Sequence, residues 1–309
     1  LADLAVVTVS HDDRMDFLVR QGERLAGEAA VWAWVVVANG NARLVSAAGL
    51  KPEPRIVKRP RNSGSAVGFA MGIEAALEDA AVTRVLLLDA DNLPEQGVID
   101  ALLAMPEEAV AAYRPRLYWA AARGIAGRRA DSCLGFHLFD LPAKFWRRVV
   151  GAPAMRDRVV MPSAGYGGLM VSRALVERIG LPDSRFVLYG DDTEWTMRAG
   201  GVVLVTELVV EDMDRDGAVA PRAFALRRWL DGREAFRLFY GARNEAFIDV
   251  HRLRRNRLMH AANRAAVLLL LWAFSRGRER QFALLREAMA AGESGRLGLD
   301  ARFPLPEVE

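Results

Sequence analysis

Val85-Leu86-Leu87-Leu88-Asp89-Ala90-Asp91-Asn92-Leu93-Pro94 is the stretch on which the reading of this 309-residue chain turns. Four apolar residues run into two carboxylates one residue apart, and a proline closes the segment. A continuous apolar run bounded by turn formers is the pattern of a strand buried on both faces, as in a parallel sheet covered by helices. Asp89 and Asp91 then stand at its carboxyl end, where ligands bind in open α/β sheets. Two readings of the pair are open. Asp and Asn side chains bond their own backbone, so Asp-Asn before Leu-Pro makes a turn without a ligand. The same carboxylates can hold a hard divalent cation and leave coordination positions for substrate phosphates.

Upstream, residues 4–9 and 31–37 are apolar, β-branched runs ending in Ser10-His11-Asp12-Asp13 and Ala38-Asn39-Gly40-Asn41, with a helical stretch over 15–25 between them. Strand, helix, strand makes a βαβ opening. A strand over 55–58 leads to the polar loop Arg59-Pro60-Arg61-Asn62-Ser63-Gly64-Ser65. Ala66, Ala70, Ile73 and Leu77 then recur at helical spacing, with Ser65 as the expected cap. Basic residues before a helix amino terminus make a phosphate neighbourhood. Gly64, Gly68 and Gly72 do not match the dinucleotide fingerprint, and the last two read as close packing of helix on sheet.

Downstream, a helix over 97–105 and a strand over 108–113 precede a basic, aromatic stretch at 114–129 with no clear period, read as a loop near the site. His137 has no partner at ligand spacing and reads as a core or edge residue. Pro162-Ser163-Ala164-Gly165-Tyr166-Gly167-Gly168 suits close backbone approach to a ligand or a flexible connection. It leads to a strand over 169–172 and a helix ending at Gly180. Gly190-Asp191-Asp192-Thr193-Glu194-Trp195 opens another helix, whose dipole favours carboxylates in the first turn. After a strand at 202–206, Glu211-Asp212-Met213-Asp214-Arg215-Asp216 is a third acidic patch. Converging three such patches costs several kcal/mol of repulsion unless a cation or a raised pKa relieves it.

A hydrophobic share of 52% and a charged share of 26% are those of a soluble enzyme with a substantial core. The net charge of +3 is not that of a polycation, yet arginines crowd between Arg222 and Arg280 (among them Arg227, Arg228, Arg233, Arg254, Arg255 and Arg257). Such a region faces anionic lipid or phosphate, or is simply a solvated helical face. Aromatics do not interleave with the arginines, so no nucleic-acid partner is expected. Cys133 is the only cysteine, which fits a reducing compartment, and no signal peptide is read at the start. A cytoplasmic location is expected. The apolar stretch 265–274 is shorter than the roughly 20 residues a bilayer needs, and reads as core or as a surface-lying helix. The chain from 224 onward reads as helical, with Tyr240, Arg243, Asn244 and Phe247 on one face, and its proline-bearing tail is expected to be loosely held.

In sequence order, Val6-Val7-Thr8-Val9-Ser10, Arg61-Asn62-Ser63-Gly64, Asp89-x-Asp91, Gly167-Gly168-Leu169-Met170-Val171-Ser172-Arg173, Ile179-Gly180-Leu181-Pro182-Asp183, Gly190-Asp191-Asp192-Thr193-Glu194-Trp195 with Arg198, Tyr240-x-x-Arg243-Asn244 and a final Gly-x-x-Gly-Arg-x-Gly resemble family 2 glycosyltransferases of the GT-A fold, in the bacterial branch of rhamnosyl- and galactofuranosyltransferases. The resemblance spans residues 4 to about 298. It implies an α/β domain over 1–222, with a mixed, mostly parallel sheet flanked by helices, and a helical carboxyl-terminal extension over 223–309. It further implies inverting, metal-dependent hexosyl transfer from a UDP-, dTDP- or GDP-sugar to a hydroxyl of a glycan or polyprenyl-linked acceptor in cell-envelope polysaccharide synthesis.

In that scheme Asp192 is the base and Asp191 orients the acceptor, while Glu194 caps the helix or positions Asp192. Asp89, Asp91 and Asp212 hold Mg²⁺ or Mn²⁺. Ser10, Asn39, Arg61, Asn62 and Asp89 meet the donor, and Gly167, Gly168 and Trp195 meet the acceptor. Two departures stand out. Ala38 occupies the place of the aspartate that usually grips the donor's base, and Glu211-Asp212 stands where the family has a metal-binding histidine, an oxygen-for-nitrogen change that favours Mg²⁺. Both motivate an alternative, a degenerate, non-catalytic nucleotide-sugar or glycan-binding module, against which the four retained aspartates argue. A sugar-nucleotide pyrophosphorylase would carry a glycine-rich basic loop where Ser10-His11-Asp12-Asp13 stands. Arginines before an apolar helix also suit peripheral contact with the inner face of the plasma membrane, residues 268–272 dipping into the interface.

Overall fold

The computed structural model describes residues 3–11, 14–40, 50–125, 128–141, 150–214, 226, 229–230 and 234–307. The expected domain boundary at 222/223, Asp12, Asp13, Arg215, Asp216 and the arginines 222, 227, 228 and 233 lie outside them.

Uninterrupted apolar runs make β1 (Leu4–Ser10), β2 (Val31–Asn39) and β4 (Arg84–Asp89), the buried centre of one mixed sheet. β1 lies between β2 and β4, parallel to both, with Ser10 beside Ala38 and Val9 beside Asp89. β3 (Arg55–Arg59) continues the parallel half outside β2. The crossovers α1 (Met15–Leu25) and α2 (Ser65–Leu77) make that arrangement obligatory, because parallel neighbours need a long return. A Cβ at Gly68 would lie 2.7 Å from Val9 Cγ1, and one at Gly72 would overlap Val7. These two glycines seat α2 directly on the sheet.

Beyond β4 the sheet changes sense. β8 (Leu169–Ser172) runs antiparallel to β4 and to β6 (Ala109–Tyr113), and β9 (Val202–Asp212) runs parallel to β6. β5 (Asn92–Pro94) and β7 (Arg158–Met161) pair antiparallel with β9. Parallel pairings are therefore confined mainly to the amino-terminal half. Helices α3 (Val98–Leu103), α4 (Pro115–Ala122), α5 (Arg173–Ile179) and α6 (Asp191–Met197) complete this part. The stretch read as a loop is thus helical over α4, which starts on Pro115 and buries Tyr118, Ala121 and Ala122. Ser65 is the first helical residue of α2 and makes no cap; the cap position is Gly64, at φ +84°.

The carboxyl-terminal helices α7 (Ala235–Ile248), α8 (Arg257–Ala273) and α9 (Glu279–Glu293) share a core containing Leu238, Phe239, Leu271, Leu285 and Met289. No helix among the described residues is long and apolar enough to cross a membrane. α8 buries Val267 and Leu271 and leaves Leu258, Leu269 and Trp272 exposed. The tail is fastened rather than loose. Phe303 stacks on Phe239 with ring centres 4.4 Å apart, the Tyr240 hydroxyl donates to the Phe303 carbonyl (3.0 Å), and Leu305 is buried.

Candidate active site

The turn after β4 reverses the chain into β5, whose pairing with β9 sets Asn92 beside Asp212 and unites the first and third acidic patches. Asn92 Nδ2 donates to Asp91 Oδ1 and Asp212 Oδ1 (3.3 Å each), and its Oδ1 accepts from the Asp89 amide (3.1 Å). Two arginines answer the charge. Arg114 donates to Asp212 Oδ1 through Nε and Nη2 (3.0 and 2.6 Å) and to Asp89 Oδ2 through Nη1 (3.4 Å). Arg14 pairs with Asp91 (3.1 Å) and Asp214 (3.5 Å). Gly167 makes this possible, since a Cβ there would overlap both Asn92 and Arg114. Solvent reaches Asp89, whose side chain is 43% exposed. Yet it lies sunk in a protein-lined cavity. Burial pushes its carboxyl up to about 6 against the pull of Arg114, helped by Asp91, Asp192 and Asp212.

Counted as ionised, Asp89, Asp91, Asp212 and Asp214 exceed Arg14 and Arg114 by two charges, and every donor is a hard oxygen. In charge and donor type the cluster fits Mg²⁺ or Mn²⁺. Among the described residues, no three His, Cys, Asp or Glu stand together as a ready ligand set. Asp89 and Asp91 border the adjoining cavity and are the residues that would hold a cation. Asp212 does not border it and acts through Arg114.

That first cavity, of about 250 Å³, lies at the carboxyl ends of β1, β2 and β4. Asn39 shapes its wall: its Nδ2 donates to the Gly64 carbonyl (3.0 Å) and its Oδ1 accepts from the Ser63 amide (3.0 Å). Asn62 lines the cavity, whereas Arg61 is exposed and lies 3.9 Å from Glu307. Ser10 is buried at the end of β1, its Oγ without a partner among the described residues.

The second acidic patch reaches the site through a strained loop. Val187 (φ +67°), Tyr189 (φ +68°) and Gly190 (φ +76°) all adopt left-handed backbone. Asn244 holds this loop, its Nδ2 donating to the carbonyls of Phe186, Leu188 and Tyr189 (2.8, 2.9 and 2.8 Å). Buried Arg243 adds bonds to the carbonyls of Phe186 (3.0 Å) and Gly298. The Tyr-x-x-Arg-Asn motif is therefore a clasp that aims α6. Ser65, which caps nothing, donates to Asp191 Oδ1 (3.1 Å). The other Asp191 oxygen is buried on the side of the Tyr166 hydroxyl, which interacts with this carboxyl. Burial, then the charge of Asp192, pushes Asp191 up to about 8.

Asp192 is half-buried and opens on a second cavity of about 540 Å³, lined by Tyr118, Arg128, Gly165, Thr193 and Glu245 among others. Burial raises this carboxyl too, opposed by hydrogen bonds from Thr193 and by Arg128 and Arg114. Arg128 and Glu245 form a two-pronged pair on the wall (2.7 and 2.9 Å). The Gly165 amide donates to the Tyr118 hydroxyl (2.9 Å). Glu194 does not cap α6; it is buried and pairs with Arg252 and Arg198, bracing the helix from the side.

Residues read as acceptor contacts sit elsewhere. Trp195 is fully buried, its indole donating to the Gly180 carbonyl (2.7 Å), and lines neither cavity. Gly167 lies against Arg114, and Gly168 packs on Val210 and Ala112. From the sequence, Arg14, Ser65, Arg114, Tyr118, Arg128 and Glu245 carried no assigned site role, Ser65 being expected only as a helix cap. Three of these fall in the basic, aromatic stretch that composition had marked.

The crystal structure of GalNAc-T7 with UDP, GalNAc and Mn²⁺ matches this architecture with a TM-score of 0.52 at 12% identity, over 81% of this chain and 48% of that one. The fold is GT-A. The chain spans about half the length of GalNAc-T7. Residues 1–349 of S. aureus TarS match at a TM-score of 0.47 and 13% identity, over 94% of this chain and 91% of that one. The mannosyltransferase PcManGT from Pyrobaculum calidifontis, in complex with GDP-Man and Mn²⁺, matches at 0.46 and 18%, over 94% and 86%. Neither a protein-family model nor a curated protein sequence matches the chain.

Proposed function

We propose that the chain is an inverting, metal-dependent glycosyltransferase, of the family 2 rhamnosyl/galactofuranosyl type that its motifs resemble. The observation that carries the reading is the placement of the Asp191–Asp192 step between two cavities: Ser65, which binds Asp191, lines the first, and Asp192 lines the second. The first takes the nucleoside-diphosphate sugar, phosphates toward Arg14 and Arg114, with Asn39, Asn62, Ser10 and Arg61 shaping or flanking it. A cation held by Asp89 and Asp91 supplies Lewis-acid neutralisation of the diphosphate when bound. The second takes the acceptor, whose hydroxyl gives its proton to Asp192. Two adjacent carboxyls share one charge more easily than two, and of this pair Asp192 is the one that faces the acceptor cavity.

A glycan or polyprenyl-linked acceptor in cell-envelope polysaccharide synthesis fits this scheme. The outward Leu258, Leu269 and Trp272 of α8, with exposed Arg254, Arg255 and Arg257 at its start, support contact with the inner face of the plasma membrane.

Asp192→Asn is expected to abolish transfer from UDP-, dTDP- or GDP-sugars while nucleotide binding, read calorimetrically with Mg²⁺ or Mn²⁺, is retained. Near-normal transfer by that variant refutes the base assignment. Saturable binding by the parent with no transfer to any acceptor identifies the non-catalytic module instead.

A further inference from the structure

We propose that the carboxyl-terminal segment 303–307 is part of the donor site, with Leu305 and Pro306 forming the wall against which the nucleoside's base lies; this rests on the donor reading of the first cavity. Both residues line that cavity, and Asn62 Nδ2 donates to the Pro306 carbonyl (3.2 Å). The strand order sets the orientation. Asp89 and Asp91 belong to the end of β4, whereas Asn62 packs beside Gly40 at the end of β2, with β1 between. Two strand spacings make about 10 Å, so a diphosphate at β4 carries its nucleoside toward β2 and the tail.

Among the described residues, the cavity lining carries no acidic side chain other than Asp89 and Asp91. Ala38 is buried and apolar, and Asn39 spends its amide on the Ser63–Gly64 loop. What the cavity offers is the apolar surface of Leu188, Phe236, Leu305 and Pro306, with Pro306 fastened to Asn62 at the β2 end, suited to the flat face of a base. The wall is built in, held by Phe303 on Phe239 and by the Tyr240 hydroxyl on the Phe303 carbonyl.

The test compares Leu305→Asn, and deletion of residues 303–309, with the parent for binding of Mg²⁺ with UDP, dTDP or GDP and, separately, of Mg²⁺ with inorganic pyrophosphate. At least a tenfold loss of nucleotide affinity with pyrophosphate affinity unchanged is expected of the point variant, and of the deletion where its unfolding transition is kept. Unchanged nucleotide affinity overturns the proposal, as does tighter binding, which would make the tail a plug. Equal losses for nucleotide and pyrophosphate in Leu305→Asn also overturn it, since they report general damage. A parent chain that binds no nucleotide removes the donor reading itself and this inference with it.

Discussion

Asn244→Ala tests the clasp on which the geometry of the second acidic patch depends. The two hydrogens of one amide nitrogen are shared among three carbonyls of the strained 186–189 loop, and its Oδ1 also accepts from Arg243 Nε (2.9 Å). Each buried bond lost costs about 1 kcal/mol, more where the partner is left unsatisfied, so the change costs about 3–5 kcal/mol. Unfolding entropy near about 2.1 cal/mol/K per residue gives roughly 0.65 kcal/mol/K over 309 residues. The midpoint of thermal unfolding should therefore drop by about 5–8 °C. Released from the clasp, Val187 and Tyr189 relax from left-handed backbone, and α6 re-aims Asp191 and Asp192. Displacements of about 1 Å at reacting groups cost on the order of 100-fold in rate. Calorimetry and a transfer assay on the same preparation check both parts. A midpoint within about 2 °C of the parent, together with unchanged transfer, would refute the reasoning, because the three bonds would then carry neither stability nor aim.

Gly167→Ala forces a methyl group into Arg114 and Asn92; overpacking of this kind costs about 1–3 kcal/mol, and nucleotide affinity should fall roughly tenfold as Arg114 swings away. An unaltered binding isotherm contradicts that. Asp191→Asn addresses linkage. With its carboxyl raised to about 8 in the folded chain, the parent folded state holds a proton that the unfolded chain releases near its ordinary value of about 4, so this group lowers stability as pH rises between those limits and no further above them. The variant should gain stability relative to the parent, most at pH 8 and above; parallel denaturant midpoints at pH 5, 6.5 and 8 rule it out. Glu245→Gln should weaken the pair with Arg128 on the second cavity, raising the acceptor KM several-fold with nucleotide affinity unmoved, and a reversed pattern in steady-state kinetics would reassign the cavities.

Residues 85–94 show what the chain declares locally. Apolar runs ended by turn formers specify a buried strand and a turn within a window of a few residues, and β4 formed where the pattern placed it, whereas the Asn-Leu-Pro read as part of a turn pairs as the short strand β5. Gly68 and Gly72 likewise read correctly as packing glycines, since helical spacing already puts them on one face. The stretch 114–129 did not resolve, because α4 has only a short amphipathic stripe. What the sequence by itself determined was which segments carry carboxylates and which face of each is apolar. Only the tertiary structure decided who meets whom. Arg114 reaches Asp212 across 98 positions and Ser65 reaches Asp191 across 126, through strand order and the β5–β9 register. Periodicity reports the face a side chain takes, whereas its partner depends on the order in which distant strands add to the sheet. For that reason the spacing that singled out Arg243 and Asn244 did not name the 186–189 loop they hold, and neither the partners of Arg114 nor the tail at the donor cavity had a counterpart in any spacing.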